Sequence, residues 1–349
     1  MQISDFDFEL PEQLIAQHPL AVRDGARMLV LDRREGNWRD SRFSQLPLQL
    51  EPGDLVVINN TRVFPARLVG QREPSGGRVE LLLVEEREPC VWEALARPAR
   101  RLQIGAHISF GHTESGRLDA EVIEELDNGR RVVRFLCDGN LIALLEQLGH
   151  TPLPPYIKRD ARIYEQEDRE RYQTIYARQR GSIAAPTAGL HFTSQVLREL
   201  LARGVEIVEA TLHVGYGTFE PVRASDLREH RVAPERYEIS AEAVTAINGA
   251  RGEGRRIIAV GTTTVRALES AADEAGRVTC GAEETQLTIT PGYKFRVVDA
   301  LLTNFHLPRS SLLILAAAFA GRGPLLAAYR HAVEARYRFY SYGDCMLII

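Results

Sequence analysis

Residues 78–84 (RVELLLV), 91–95 (VWEAL), 106–110 (AHISF), 118–123 (LDAEVI) and 131–136 (RVVRFL) are five short, apolar-rich runs. Gly, Pro or Asn-Gly turns separate them. Short strands at even spacing argue for a small all-β unit, a sandwich or a barrel. Outside this stretch the texture differs. Leu55–Ile58 is a continuous apolar run that reads as a buried strand, ending in the polar loop Asn59-Asn60-Thr61-Arg62. Leu141–Leu148 reads as a short helix, and the Pro-rich 151–155 (TPLPP) as a stiff linker. The expected fold class is therefore α/β: a large mixed-sheet α/β domain, discontinuous over 1–65 and 150–349, with a small antiparallel β-barrel domain inserted at 66–149.

The 349-residue chain carries a net charge of −4 and four scattered cysteines. No cysteine is close enough to another in sequence to suggest a zinc knuckle or a disulfide framework, so reduced thiols and no metal are expected. The start, MQISDFDFEL, lacks a signal pattern. The longest apolar run, Leu312–Ala320, is too short to cross a bilayer. A cytoplasmic protein with no membrane partner is expected, and a monomer. Of 43 basic residues two are Lys, leaving 41 Arg. Arg is always charged, whereas Lys is a compact amine whose pKa can be tuned, so Lys158 and Lys294 mark positions where Arg does not serve, unless the bias is chance.

Gly181–Thr193 (GSIAAPTAGLHFT) is small-residue-rich and nearly uncharged. It reads either as a ligand loop opening onto the N-terminus of a helix over Val196–Ala202, or as a tight turn with a buried His191. Tyr156–Arg180 interleaves Tyr156, Lys158, Arg159, Tyr172 and Tyr176. That mixture suits single-stranded nucleic acid, and equally an ordinary amphipathic helix. Val205–Val208, Thr211–Val214, Arg256–Val260 and Val297–Leu302 read as strands. Gly261-Thr262-Thr263-Thr264 after the third of these is a cradle for an anion, or a plain helix cap. Asp299 within an apolar strand needs a partner. Ser310 should cap a helix over Ser311–Ala320, closed by Gly321.

Taken together, INNTRVFPARL (58–68), LPPYIKR (153–159), RYQTIYA (171–177), GSIAAPTAGLHFT, TLHVGYGTF, AVGTTTVRALES, PGYKFRVVDALLTNFHLPRSSLL and YRFYSYGD (337–344) resemble the S-adenosylmethionine:tRNA ribosyltransferase-isomerase family of queuosine biosynthesis. The resemblance runs nearly end to end. Two spots depart from the family pattern: Arg231-Val232-Ala233 after His230, and Thr285–Ile289, where an acid and an aromatic are expected.

The resemblance implies transfer and isomerisation of the ribosyl part of S-adenosylmethionine onto 7-aminomethyl-7-deazaguanine at the wobble position of a tRNA with a GUN anticodon. The product is epoxyqueuosine-tRNA, with adenine and methionine released. S-adenosylmethionine is then a co-substrate, and no cofactor is bound permanently. Under that resemblance His191 and His306 are acid–base candidates, with Asp299 orienting one of them and Lys294 or Lys158 holding a phosphate or the methionyl carboxylate. Gly261, Thr262, Thr263, Arg266, Phe192 and Tyr216 are expected at S-adenosylmethionine. Lys158, Arg159, Tyr172, Tyr176 and Arg309 are expected at the tRNA. The competing readings are a non-catalytic tRNA-binding module and an RNA methyltransferase.

Overall fold

A computed structural model describes residues 1–158, 161–219, 222 and 224–349, with the side chains of 161, 162, 218 and 219 left out. The expected Arg159 contact lies outside the described residues. In chain order the strands are β1 (Arg27–Asp32), β2 (Asn37–Arg42), β3 (Leu55–Asn59), β4 (Thr61–Val63), β5 (Arg67–Glu73), β6 (Gly77–Glu88), β7 (Val91–Arg97), β8 (His107–Thr113), β9 (Gly116–Glu125), β10 (Arg130–Cys137), β11 (Gln179–Ser182), β12 (Glu206–Leu212), β13 (Glu235–Ile239), β14 (Ile257–Val260), β15 (Gly281–Thr285), β16 (Ala300–Asn304) and β17 (Cys345–Ile348). The helices are α1 (Leu141–Leu148), α2 (Ala161–Arg171), α3 (Ser194–Ala202), α4 (Ala241–Gly252), α5 (Thr262–Ala271), α6 (Ser311–Ala320) and α7 (Arg322–Glu334).

The chain divides into two compact units. One comprises Met1–Arg62, Pro155–Lys158 and Gln173–Ile349; the other holds Val63–Pro154 and α2. The larger unit is built on a nine-stranded mixed sheet, ordered β15-β13-β12-β3-β14-β16-β17-β1-β2. β12, β3, β14 and β16 run parallel to one another. β3, β14, β16 and β17 are buried at every residue. Strands covered on both faces need apolar side chains at both parities, and each strand supplies them. Leu55, Val57, Ile257, Ala259 and Leu301 enter one core, and Val56, Ile58, Ile258, Val260 and Leu302 the other. The edge strands β2 and β15 are polar and mostly exposed, which discourages further pairing.

The second unit is the inserted barrel. β10, β7, β6, β5, β8 and β9 close on themselves with every pairing antiparallel. Alternate residues point inward, among them Val79, Leu81 and Leu83 of β6 and Leu118, Ala120 and Val122 of β9. This is the period of two of a strand with one buried face.

Two local expectations are met at α6. Ser310 caps it through its side-chain oxygen, as Asn140 and Thr193 also do for α1 and α3. Gly321 ends α6 at φ 84°, a conformation glycine adopts freely. Two strands differ from expectation. Val205–Val208 and Thr211–Val214 are one strand, β12, and the Val297–Leu302 strand begins only at Ala300.

Gly181–Thr193 adopts the closed alternative. Ala188, Gly189, Leu190, His191 and Phe192 are all buried. The start of α3 is not an open anion site, because Thr193 accepts a hydrogen bond from the Val196 amide and donates one to Asp24. Gly189 is required sterically: a Cβ there would lie 2.2 Å from the Tyr176 hydroxyl oxygen. That hydroxyl is buried without a hydrogen-bond partner among the described residues. Gly189→Ala should therefore cost about 2 kcal/mol, as overpacking of a tight interior does. Tyr176→Phe alone should be neutral or stabilising, because it removes an unsatisfied polar atom. In the double variant part of the Gly189→Ala cost should be recovered, the remainder falling on the Thr174 methyl 2.8 Å from the new Cβ. Guanidinium unfolding of the four proteins checks this, and purely additive effects would reject the steric account.

Candidate active site

The sheet interior has no room for polar groups, so functional side chains collect at strand ends. The loops after β12 and β16, together with α5 after β14, lie at the carboxyl end of the parallel strands, where open α/β sheets place their ligands. A cavity of about 560 Å³ opens there, a size suited to one small-molecule ligand. Its apolar wall includes Val232, Leu287, Ile289, Leu307, Leu312 and Leu315. Its polar groups include His230, Glu235, Arg266 and Arg309, with Ser310 and Ser311 at the N-terminus of α6. Tyr156 and Tyr340 complete one side.

Arg266 is placed at this cavity, but not as a free cation. Its side chain is 9% exposed and ion-paired with Glu235, itself 4% exposed. Its remaining donors reach the carbonyls of Leu287 (3.1 Å) and Thr285 (3.4 Å). The fork thus ties α5 to the segment after β15. Glu235 also accepts a hydrogen bond from the Gly215 amide at 3.1 Å. A buried pair of this kind tolerates loss of one partner badly, because the other charge is left uncompensated.

His230 is 7% exposed, and its Nε2 has no hydrogen-bond partner among the described residues. Burial, with the neighbouring Arg231 adding to it, holds its pKa below the ordinary value of 6.5. The ring is thus neutral at pH 7, with a nitrogen unclaimed by the protein.

The expected histidine pair does not assemble. His191 lies beside Asn304, whose parity is that of Ala300 and Leu302 in the second core. His306 instead shares a 2.8 Å hydrogen bond with Thr303, which has the parity of Leu301 in the first core. The two rings therefore sit on opposite faces of the sheet. Burial pushes the His191 pKa down to about 4, outweighing the nearby Asp344 and Asn304. Burial alone takes His306 to about 3.

Asp299 orients neither ring. It is exposed at the opposite end of β16, where its carboxylate accepts from the Ile257 amide at 2.9 Å. Lys294 is exposed beyond the turn at Thr290–Tyr293 and does not line the cavity.

Other expectations divide. Gly261 (φ 90°) starts α5, with its amide donating to Leu302. Thr264 donates to the Val260 carbonyl at 2.6 Å, and Thr263 accepts from Asn59 at 3.3 Å. Gly261, Thr262 and Thr263 are not among the cavity-lining residues; their hydroxyl run works as a helix start. Phe192 is wholly buried against Phe43. Tyr216 is half-buried next to the lining residue Gly217. Tyr172 is fully buried and cannot offer its ring to a nucleic acid, and the Tyr176 hydroxyl is buried as well. Lys158 is exposed and paired with Glu12 at 2.6 Å. Arg309 is exposed on the cavity rim, paired with Asp7.

Sequence reasoning missed His230, Glu235, Tyr156 as a cavity residue, and Tyr340. Their one sequence signal was membership of, or adjacency to, a quoted stretch. Both spots that depart from the family pattern, Val232-Ala233 and Leu287–Ile289, line the cavity. Among the described residues, no group of three His, Cys, Asp or Glu is placed to hold a metal ion. No single helix is long and apolar enough to cross a membrane; α6 and α7 would qualify only as a pair bent by 117°, and α6 is largely core.

The queuosine biosynthesis protein family model matches residues 3–348. The fold is also similar to the crystal structure of S-adenosylmethionine tRNA ribosyltransferase from Thermotoga maritima. That match has 35% identity and a TM-score of 0.55, and covers 99% of this chain and 100% of the other.

Neutral buried histidines have a consequence for stability. An unfolded chain takes up protons at these sites near pH 6.5, whereas the fold resists doing so until about pH 4 at His191 and about pH 3 at His306. Between those limits the unfolded state binds more protons, so stability should fall as pH drops from 6.5 towards 4. His306→Gln should flatten that fall, measured as guanidinium midpoints at pH 7.5, 6 and 5. An unchanged slope would show that His306 is protonated in the fold.

Proposed function

Since the chain belongs to the queuosine biosynthesis protein family and is an S-adenosylmethionine tRNA ribosyltransferase-isomerase, we propose that its 560 Å³ cavity holds the S-adenosylmethionine. The observation that carries this reading is convergence. Tyr156, Gly217, Arg266, the Pro308–Leu312 turn and Tyr340 come from five of the quoted motif stretches, far apart in sequence, and meet around one space.

The chemistry makes three demands that the lining residues can meet. The sulfonium acidifies the adjacent 5′ carbon, so a base is needed there. His230, neutral and with Nε2 unclaimed, is the proton acceptor in this reading. The sulfonium is positive, and the Glu235 carboxylate lines the same cavity, its charge shared with Arg266. The methionyl carboxylate is negative, and the exposed Arg309 guanidinium on the cavity rim, held by a surface pair with Asp7, carries the matching charge. The apolar wall can take the adenosyl part.

The acceptor is read as 7-aminomethyl-7-deazaguanine at the wobble position of a GUN-anticodon tRNA, with adenine and methionine as leaving products. A base paired or stacked in the anticodon loop must swing out to reach a recessed donor. Arg309 on the rim and Lys158 are the exposed cations retained for tRNA contact. The reading also keeps the protein in the cytoplasm, where its tRNA and S-adenosylmethionine are.

His230→Gln should lower kcat by about 10²- to 10⁴-fold, the range for loss of a positioned acid or base, with little change in melting temperature. Release of adenine and methionine from S-adenosylmethionine and the modified tRNA is the assay. The acid limb of the wild-type profile should lie below pH 6.5, because a base with a lowered pKa stays active until pH falls through that pKa. His230→Gln with more than half the wild-type turnover would remove His230 from the mechanism. S-adenosylhomocysteine as product would move the chemistry to the methyl group.

A further inference from the structure

Five described non-glycine residues have a positive φ, and two of them, Arg309 (56°) and Tyr340 (75°), line the cavity. A bulky aromatic in the left-handed region costs free energy, and such residues persist where surrounding contacts fix them, often at functional sites. The contacts at Tyr340 are explicit. Its amide donates to the Phe305 carbonyl at 2.9 Å, and its carbonyl accepts from the Asn304 side chain at 2.9 Å and from the Gly343 amide at 2.9 Å. The same Asn304 amide reaches the Ser341 carbonyl at 3.3 Å. Ser341 in turn is hydrogen-bonded through its hydroxyl to that of Tyr156, and the Tyr156 carbonyl accepts from Gln17 at 3.0 Å.

This arrangement fixes two rings against each other. Tyr156 and Tyr340 meet edge to face, with centroids 3.9 Å apart and planes at 78°. Such a pair forms a corner of two flat apolar surfaces near a right angle. A planar heterocycle can lie on one side of the corner while its edge meets the other, gaining stacking and edge contacts together. The strain at φ 75° would fall on any residue but glycine, so the position keeps a side chain at a cost that glycine would avoid. Apart from the His230 imidazole, the rest of the described cavity wall is aliphatic, hydroxylic or charged, leaving this corner as its phenolic surface.

We propose that the Tyr156–Tyr340 corner is the seat for a planar purine-type ring. This rests on the reading that the cavity holds the donor. Two sources share that chemistry, the adenine of S-adenosylmethionine and the deazaguanine of the acceptor tRNA. Asn304 is a positioning residue that acts through the backbone of Tyr340 and Ser341.

The test uses equilibrium binding to the full chain. The probes are S-adenosylmethionine, S-methylmethionine (a sulfonium amino acid without the ring), and an anticodon stem-loop carrying 7-aminomethyl-7-deazaguanine or plain guanine. The variants are Tyr156→Leu and Tyr340→Gly; the latter removes the ring and also the backbone strain, so its fold is not penalised at φ 75°. Loss of a stacking partner should weaken binding about tenfold. If the ring is adenine, S-adenosylmethionine weakens about tenfold and S-methylmethionine is unchanged. If it is the acceptor base, the modified stem-loop weakens and S-adenosylmethionine does not. Either result supports the corner. Unchanged affinity for all probes in Tyr156→Leu, or equal weakening of both sulfonium compounds, overturns it. Ala233→Trp, which fills the cavity, separates the two readings: if it leaves S-adenosylmethionine affinity unaltered, the donor is elsewhere and the placement in the cavity has failed, whatever the tyrosines do.

Discussion

Burial of the central strands on both faces is the constraint from which the rest of the large unit follows. The apolar side chains of β3, β14, β16 and β17 all enter one core or the other, so chemistry is pushed to the carboxyl ends of the strands and the loops beyond them. Those ends are unlike. Asp299, at the amino end of β16, serves the backbone of its neighbour β14. At the carboxyl end Asn304 fastens the Tyr340–Ser341 turn, and the loop beyond His306 leads into α6. A single alternation rule thus separates structural groups from those that can meet a ligand.

The buried histidines illustrate how a residue type can mislead. His191 sits in a nearly uncharged stretch that looks built for a ligand, yet its ring is packed on Phe43 at 5.2 Å. Burial makes such a ring a poor proton acceptor, because charging it in a low-dielectric interior is unfavourable. His230 shares the tendency, but it adjoins open space. The difference lies in what surrounds each ring, which a linear sequence does not display.

Local and periodic features were readable in advance. The barrel announced itself through short strands set off by turns, and α6 through its Ser310 cap and terminal Gly321. Non-local features were not. The pairing of Arg266 with Glu235 joins residues 31 apart, and Tyr156 meets Ser341 across 185. Arg266 lines the cavity with its charge already met by Glu235, and nothing in AVGTTTVRALES names that partner. Tyr172 and Tyr176 looked like exposed rings among basic residues because composition cannot tell an outward face from an inward one.

The order of strands in the sheet also sets a timetable for the growing chain. β3 leaves the ribosome early, but its neighbours β12 and β14 follow only after the whole barrel has been made, and β17, between β16 and β1, comes last of all. The barrel's partners are all near one another in sequence, so it can close while synthesis continues. β1 pairs at once with β2 but must wait for its other neighbour, and β3 must wait for both of its own. Until β17 arrives, β1 and β16 each present an unpaired apolar edge, the kind of surface that chaperones shield and that misassociates when they do not. The nascent protein is thus most vulnerable just before its final strand is laid into the middle of the sheet.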